Sequence, residues 1–106
     1  MMTNIETLKD YELMLEDNHY KVIMFISDWC PDCHYADRFW GHFETIYEGV
    51  NFYRVDREVL PNIAKDLNIF GVPSYIIYKG DRIIARYVDK YRKTFEQVKR
   101  FIDNNV

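Results

Sequence analysis

Cysteine is scarce in this sequence, with two in 106 residues. Two cysteines cannot form the disulfide framework of a small secreted fold, and a structural zinc site wants four ligands. Long apolar runs are also missing. None approaches the roughly 18 residues that span a bilayer, so no membrane helix is expected. Residues 1–10 carry Glu6 and Asp10 and have no basic segment followed by an apolar stretch, so they do not read as a secretory signal. An excess of positive charge is absent as well. Lys and Arg number 14 against 17 Asp and Glu, for a net charge of −3. That balance gives no electrostatic case for nucleic acid or an anionic membrane surface as partner. There is no repeat, low-complexity tract or Gly/Ser linker. These exclusions predict one domain over residues 1–106, a monomer in the cytosol, where thiols are kept reduced.

What the chain does have is material for a core: 48% of it is apolar and 17% aromatic. Over residues 7–16, Leu8, Tyr11 and Leu15 are spaced by three and four and predict one face of a helix. Tyr20–Ile26 is almost continuously apolar, as suits a strand buried on both faces. From Pro31 onward, Ala36, Phe39, Trp40, Phe43, Ile46 and Tyr47 recur at helical spacing and predict a long helix ending near Gly49. Trp40, on that apolar face, is read as core. Residues 50–55 read as a strand. Residues 61–67 read as a short helix begun by Pro61. Two strands, 74–78 and 82–88, are joined by a tight hairpin at Lys79-Gly80-Asp81. A closing helix over 94–102 turns Phe95, Val98, Phe101 and Ile102 inward, with Thr94 as N-cap. The first two strands are linked through a helix and should be parallel. The α/β pattern is thus a central mixed sheet with helices on both faces.

The chemistry concentrates in Trp29-Cys30-Pro31-Asp32-Cys33-His34. Two cysteines this close, in a chain expected to stay in a reducing compartment, are a redox pair more often than an inert pair or zinc ligands. Cys30 precedes a helix start, where free N–H groups and the helix dipole favour a thiolate. The thiolate is the nucleophile, so Cys30 should attack a disulfide. Cys33, one turn further in, should be less exposed and resolve the mixed disulfide. Pro31 suits the first helical turn. Asp32 complements the dipole but sets a negative charge beside the thiolate. His34, as a cation, would act the other way.

These pieces resemble the thioredoxin family over nearly the whole chain. The matching parts are the strand through Val22 and Ile26, the Trp29-to-Cys33 motif with its helix, Val55-Asp56, Gly71-Val72-Pro73-Ser74 and the hairpin at Gly80. Cys-x-x-Cys alone is a weak signal; strand, Trp-Cys-Pro-x-Cys, helix and a Val-Pro about forty residues on is a strong one. The resemblance implies a thioredoxin fold and a protein-disulfide reductase with no cofactor. It implies a cis Val72–Pro73 bond, with Pro73 against the two sulfurs. It also implies that Trp29, Val72 and Pro73 contact an extended substrate segment. Its partners would be protein disulfides, with a thioredoxin-reductase-type enzyme or a low-molecular-weight thiol as reductant. A second reading keeps the fold as a redox-gated binding module with little turnover.

The sequence departs from the family at three places. Many thioredoxins carry a buried Asp six residues before the nucleophile and a Lys on the next strand; here Met24 and Phe52 stand there. Losing both is coherent, because one unpaired buried charge is costly. Water, Asp28 or a partner group is left to accept the Cys33 proton. The Gly-Pro that thioredoxins typically carry between the cysteines is Pro31-Asp32. Val88-Asp89 replaces a Val-Gly near the active site, which predicts restricted substrates or weaker docking to a reductase. One rival remains: Cys30-Pro31-Asp32-Cys33-His34 also spells the Cys-x-x-Cys-His pattern of c-type haem attachment, with His34 as axial ligand. The purified protein is expected to show no haem band in its visible spectrum; such a band would establish the haem reading instead.

Overall fold

The computed structural model describes residues 2–106, so Met1 of the N-terminal segment lies outside the described residues. The chain runs β1 (Thr3–Ile5), α1 (Leu8–Glu16), β2 (Tyr20–Ile26), α2 (Pro31–Trp40), α3 (Phe43–Ile46), β3 (Val50–Asp56), α4 (Pro61–Asp66), β4 (Ser74–Lys79), β5 (Arg82–Tyr87) and α5 (Phe95–Asp103). The five strands lie in the order β1-β3-β2-β4-β5. β1 and β2 each pair parallel with β3, while β2–β4 and β4–β5 are antiparallel. β2 is therefore central, and Val22 to Ile26 are all at most 1% exposed. That accounts for its unbroken apolar run.

Strand alternation divides the sheet into two faces. Register sets Val22 opposite Phe52 and Ile77, and Met24 opposite Arg54 and Tyr75. This face meets α2, because the Trp40 ring lies 5.4 Å from Phe52 and 5.3 Å from Tyr75. Phe43, Phe95 and Phe39 extend the same layer, with Phe43 stacked on Phe95 at 4.8 Å. On the other face, Tyr11 of α1 shares a 2.7 Å hydrogen bond with Tyr78 of β4. Helices thus cover both faces, as expected.

Three elements differ from the sequence reading. β1 was not anticipated: it has three residues and only Ile5 is buried, too short to show periodicity. The helix expected over 31–49 breaks into α2 and α3 around Gly41 and His42. Glycine inside a helix costs about 1 kcal/mol relative to alanine, and the break lets Trp40 and Phe43 both be fully buried. Gly49, at φ +79°, then makes the turn into β3. On α1 the buried residue is Met14 rather than Leu8, which is 58% exposed. Met14 lies about 120° around the helix from Leu8, and Tyr11 and Leu15 of the expected face pack partly buried against the core.

Lys21 was not singled out by sequence, yet it is fully buried. Its Nζ donates to the carbonyls of Met14 (2.6 Å), Asp17 (2.5 Å) and Gly80 (2.6 Å). One ammonium thus closes the C-terminus of α1 and ties it to the β4–β5 turn, a favourable place for a cation. Lys21→Met keeps the aliphatic stem and removes those three bonds. It is expected to cost about 2–4 kcal/mol, read as a lower urea midpoint at unchanged slope. An unaltered midpoint would show that the ammonium contributes nothing.

Candidate active site

β2 ends at Ile26 and α2 begins at Pro31, so Ser27, Asp28, Trp29 and Cys30 form the whole connection. Cys30 is the N-cap of α2, in extended conformation, and Pro31 occupies the first turn without a donor to lose. The Cys30 sulfur accepts the Cys33 N–H at 3.2 Å. That is one of the free helix-end donors, so the sulfur sits at the positive end of the α2 dipole. Cys33 points into the core and is 1% exposed, against 6% for Cys30; both are free thiols. Burial, reinforced by its hydrogen bond with Cys30, pushes the Cys33 thiol up to about 12. Cys33 is thus the less exposed of the two, as expected.

The 71–74 loop lies beside this pair. The Val72–Pro73 bond is cis, as the resemblance implied. The Val72 carbonyl lies 3.9 Å from the Cys30 sulfur and accepts its S–H. Ser74 Oγ donates to the Gly71 carbonyl at 2.6 Å and lies 3.3 Å from that of Asp89. A Cβ on Gly71 would fall 2.5 Å from that Asp89 oxygen, so glycine is what lets the 89–90 backbone approach. Trp29 was compatible with core packing by sequence. It is instead 63% exposed, with Nε1 donating to Glu58 at 2.9 Å. Trp40 is the buried tryptophan.

Asp32, His34 and Asp89, which sequence placed at the site, each have a hydrogen-bond partner. Asp32 Oδ1 accepts from Arg92 Nε at 2.9 Å, and the Arg92 guanidinium lies 4.3 Å over the Tyr35 ring. Sequence gave no signal for Arg92, which lies sixty residues away. His34 Nε2 donates to the Asp28 carbonyl at 2.6 Å and so braces the turn before Cys30. Asp89 accepts from the buried Lys93 at 2.5 Å and from the Tyr91 N–H at 2.9 Å. Met24 and Phe52 are fully buried apolar residues, as the missing charge pair required. Asp37, four residues after Cys33, binds Arg54 through two 2.8 Å hydrogen bonds. Its i+4 spacing from Cys33 is the one signal of it in the sequence.

A profile of the thioredoxin family matches residues 2–104. The chain belongs to the thioredoxin family. It is 25% identical to thioredoxin-2 of Saccharomyces cerevisiae over 89 residues, which cover 83% of this chain and 86% of that protein. It is 26% identical to an H-type thioredoxin of Brassica campestris over 81 residues, 76% of this chain and 66% of the relative. Reduced Schistosoma mansoni thioredoxin superposes with a TM-score of 0.86 at 22% identity, covering 99% of this chain and 98% of that one. Thioredoxins act on protein disulfides and are reduced by thiol-based systems, and this thioredoxin is a thiol–disulfide oxidoreductase. Among the described residues no helix is long and apolar enough to cross a membrane.

The difference between the two thiols is measurable. Iodoacetamide at pH 8 is expected to add once to the reduced protein, at Cys30, with Cys33 labelled only on unfolding; mass spectrometry locates the adduct. Unfolding frees Cys33 to ionise near 9 rather than near 12. The unfolded chain therefore binds fewer protons in that window, and the stability of the reduced protein falls as pH rises from about 9 toward about 12. Cys33→Ser should make that fall shallower.

Proposed function

We propose that this thioredoxin reduces disulfides of cytosolic proteins, with Cys30 as attacking thiolate and Cys33 as resolving thiol. The observation that carries the reading is the capping bond: the Cys30 sulfur receives a helix-end N–H, while Cys33 stays buried and protonated. Cys30 attacks one sulfur of the substrate disulfide, a Cys30–substrate bond forms, and the other substrate sulfur leaves as thiolate. Cys33 then attacks Cys30, the mixed disulfide breaks, and the second substrate thiol departs. Trp29, exposed beside Cys30, together with Val72 and Pro73, receives the extended substrate segment, with the Val72 backbone as its strand partner. Pro31 and Asp32 tune the centre, the latter with Arg92 as counter-ion, and His34 holds the turn. The dithiol requires no cofactor and no metal. A thioredoxin-reductase-type enzyme or a low-molecular-weight thiol regenerates it. The site is complete within one chain, which supports action as a monomer.

Insulin reduction with dithiothreitol tests the activity. The wild type should accelerate it and Cys30→Ser should not; equal rates would leave the fold a binding module. In cell extracts, Cys33→Ser should trap mixed disulfides through Cys30. Trapping by Cys30→Ser through Cys33, and none by Cys33→Ser, would reverse the two roles.

A further inference from the structure

Cys30 is only 6% exposed, so a protein disulfide reaches its sulfur by laying the residues around its own cysteine on the surface beside it. Strand order decides what stands on that surface. Cys30 follows the central strand β2, with β3 on one side and β4, then β5, on the other. Phe25 pairs with Ser74 and Tyr75 with Tyr87, which brings the start of β4 and the end of β5 to the edge of the sheet where β2 ends. Trp29 is drawn to the β3 side, because its indole donates to Glu58 just past the end of that strand. The other side is made by two loops, Phe70-Gly71-Val72-Pro73 before β4 and Asp89-Lys90-Tyr91-Arg92 after β5.

These loops are fixed to each other and to the dithiol. The Gly71 backbone lies so close to the Asp89 carbonyl and the Lys90 nitrogen that no Cβ fits between them. The buried Lys93 ammonium donates to the Tyr91 carbonyl at 2.7 Å and to the Asp89 carboxylate at 2.5 Å. The Val72 carbonyl meets Cys30, and Arg92 donates to Asp32 between the cysteines. Phe70 is thus two residues from one contact with the motif, and Tyr91 is one residue from another. Among the described residues, the three most exposed large apolar side chains are Phe70 and Tyr91, at 66% each, and Trp29, at 63%. A single exposed apolar residue needs no explanation. Three aromatic rings around one reactive sulfur make a patch of the kind that a partner covers. Rings carried on fixed loops lose little freedom when they are covered.

We infer that Phe70 and Tyr91 determine substrate specificity. They form the wall that stands across the dithiol from Trp29, and they favour protein disulfides whose cysteine is flanked by large apolar residues in an extended segment. An extended segment paired along the Val72 backbone turns its side chains alternately to the two sides. Large apolar side chains next to its cysteine then leave water against the two rings. This rests on the reading of Trp29, Val72 and Pro73 as the substrate contact and of Cys30 as the attacking thiol.

Two peptides test it. They differ only in the residues on either side of a single cysteine, Phe in one and Ser in the other, and each cysteine is capped as a disulfide with a coloured aromatic thiol. Cys30 attacks the peptide sulfur, the Cys30–peptide bond forms, the capping S–S bond breaks and the coloured thiolate leaves. Stopped-flow gives the second-order rate constant for each peptide, divided by that peptide's own rate with dithiothreitol. The wild type is expected to favour the Phe peptide by roughly 10-fold, and the double variant Phe70→Ser/Tyr91→Ser to bring the ratio within about 2-fold. Both positions are exposed, so serine there keeps the fold. A ratio between peptides on one protein also divides out any general change in thiol reactivity. A wild-type ratio near one, or a tenfold ratio that survives in the double variant, overturns the proposal. The underlying reading is scored separately. Trp29→Ser slowing neither peptide would sink Trp29 as a substrate contact, and release surviving in Cys30→Ser would sink the assignment of the attacking thiol.

Discussion

The structure depends on one cap: the sulfur of Cys30 stands where a helix N-cap oxygen ordinarily stands and accepts the N–H of Cys33. Three further properties follow from it. The nucleophile is placed at the positive end of α2. The second cysteine, three residues on, is turned to the buried side of the helix and cannot be as exposed as the first. The connection from β2 must also be short and fixed. It is held by the Cys30 N–H to the Ser27 carbonyl, the Arg57 guanidinium to Ser27 Oγ, and the Arg57 N–H to the Ile26 carbonyl. Because β2 is central and paired on both sides, the cap is anchored to the most buried element of the fold.

Around that cap the acidic side chains are each held by a hydrogen-bond donor. Asp32 on α2 meets Arg92 from the loop before α5, Asp89 folds onto Lys93, and Glu58 takes the indole of Trp29. Exposed pairs of this kind add little to stability. Their effect is local: Arg92 offsets the anion that Asp32 would otherwise set beside a thiolate. Asp89 is tied down within its own loop, its carboxylate held by Lys93 and the Tyr91 N–H.

The parts of this arrangement legible in sequence are those written in local pattern. The apolar run of β2, the Pro31 start of α2, the hairpin at Gly80 and the Thr94 cap all rest on residues a few positions apart, and each stands where expected. The Val72–Pro73 geometry was reached through family resemblance, since nothing local sets it apart from an ordinary turn. What escaped was either too short or too distant. β1 has one buried residue and takes its meaning from β3. Arg92 reaches Asp32, and Lys21 reaches Gly80, across some sixty residues of chain. The Leu8 register failed because α1 is anchored at its C-terminal end, by Met14 and the Lys21 cap, rather than at its start.

The apolar Met24 and Phe52 have a physical counterpart elsewhere on the same face. Phe52 belongs to the aromatic layer with Trp40, Phe43 and Tyr47, and a charge there would be stripped of water on every side. The ion pair on this face lies instead at Asp37 and Arg54, where the two side chains keep 30% and 25% of their exposure. Desolvation is smaller at that edge, and a bidentate guanidinium–carboxylate geometry is available there. A carboxylate therefore remains one helical turn from the buried thiol without a lone charge beneath the aromatic layer. Moving the pair outward keeps negative charge near Cys33 and leaves the centre of the sheet to pack as hydrocarbon, and Tyr75, whose hydroxyl has no hydrogen-bond partner, is the polar group left between the two regions.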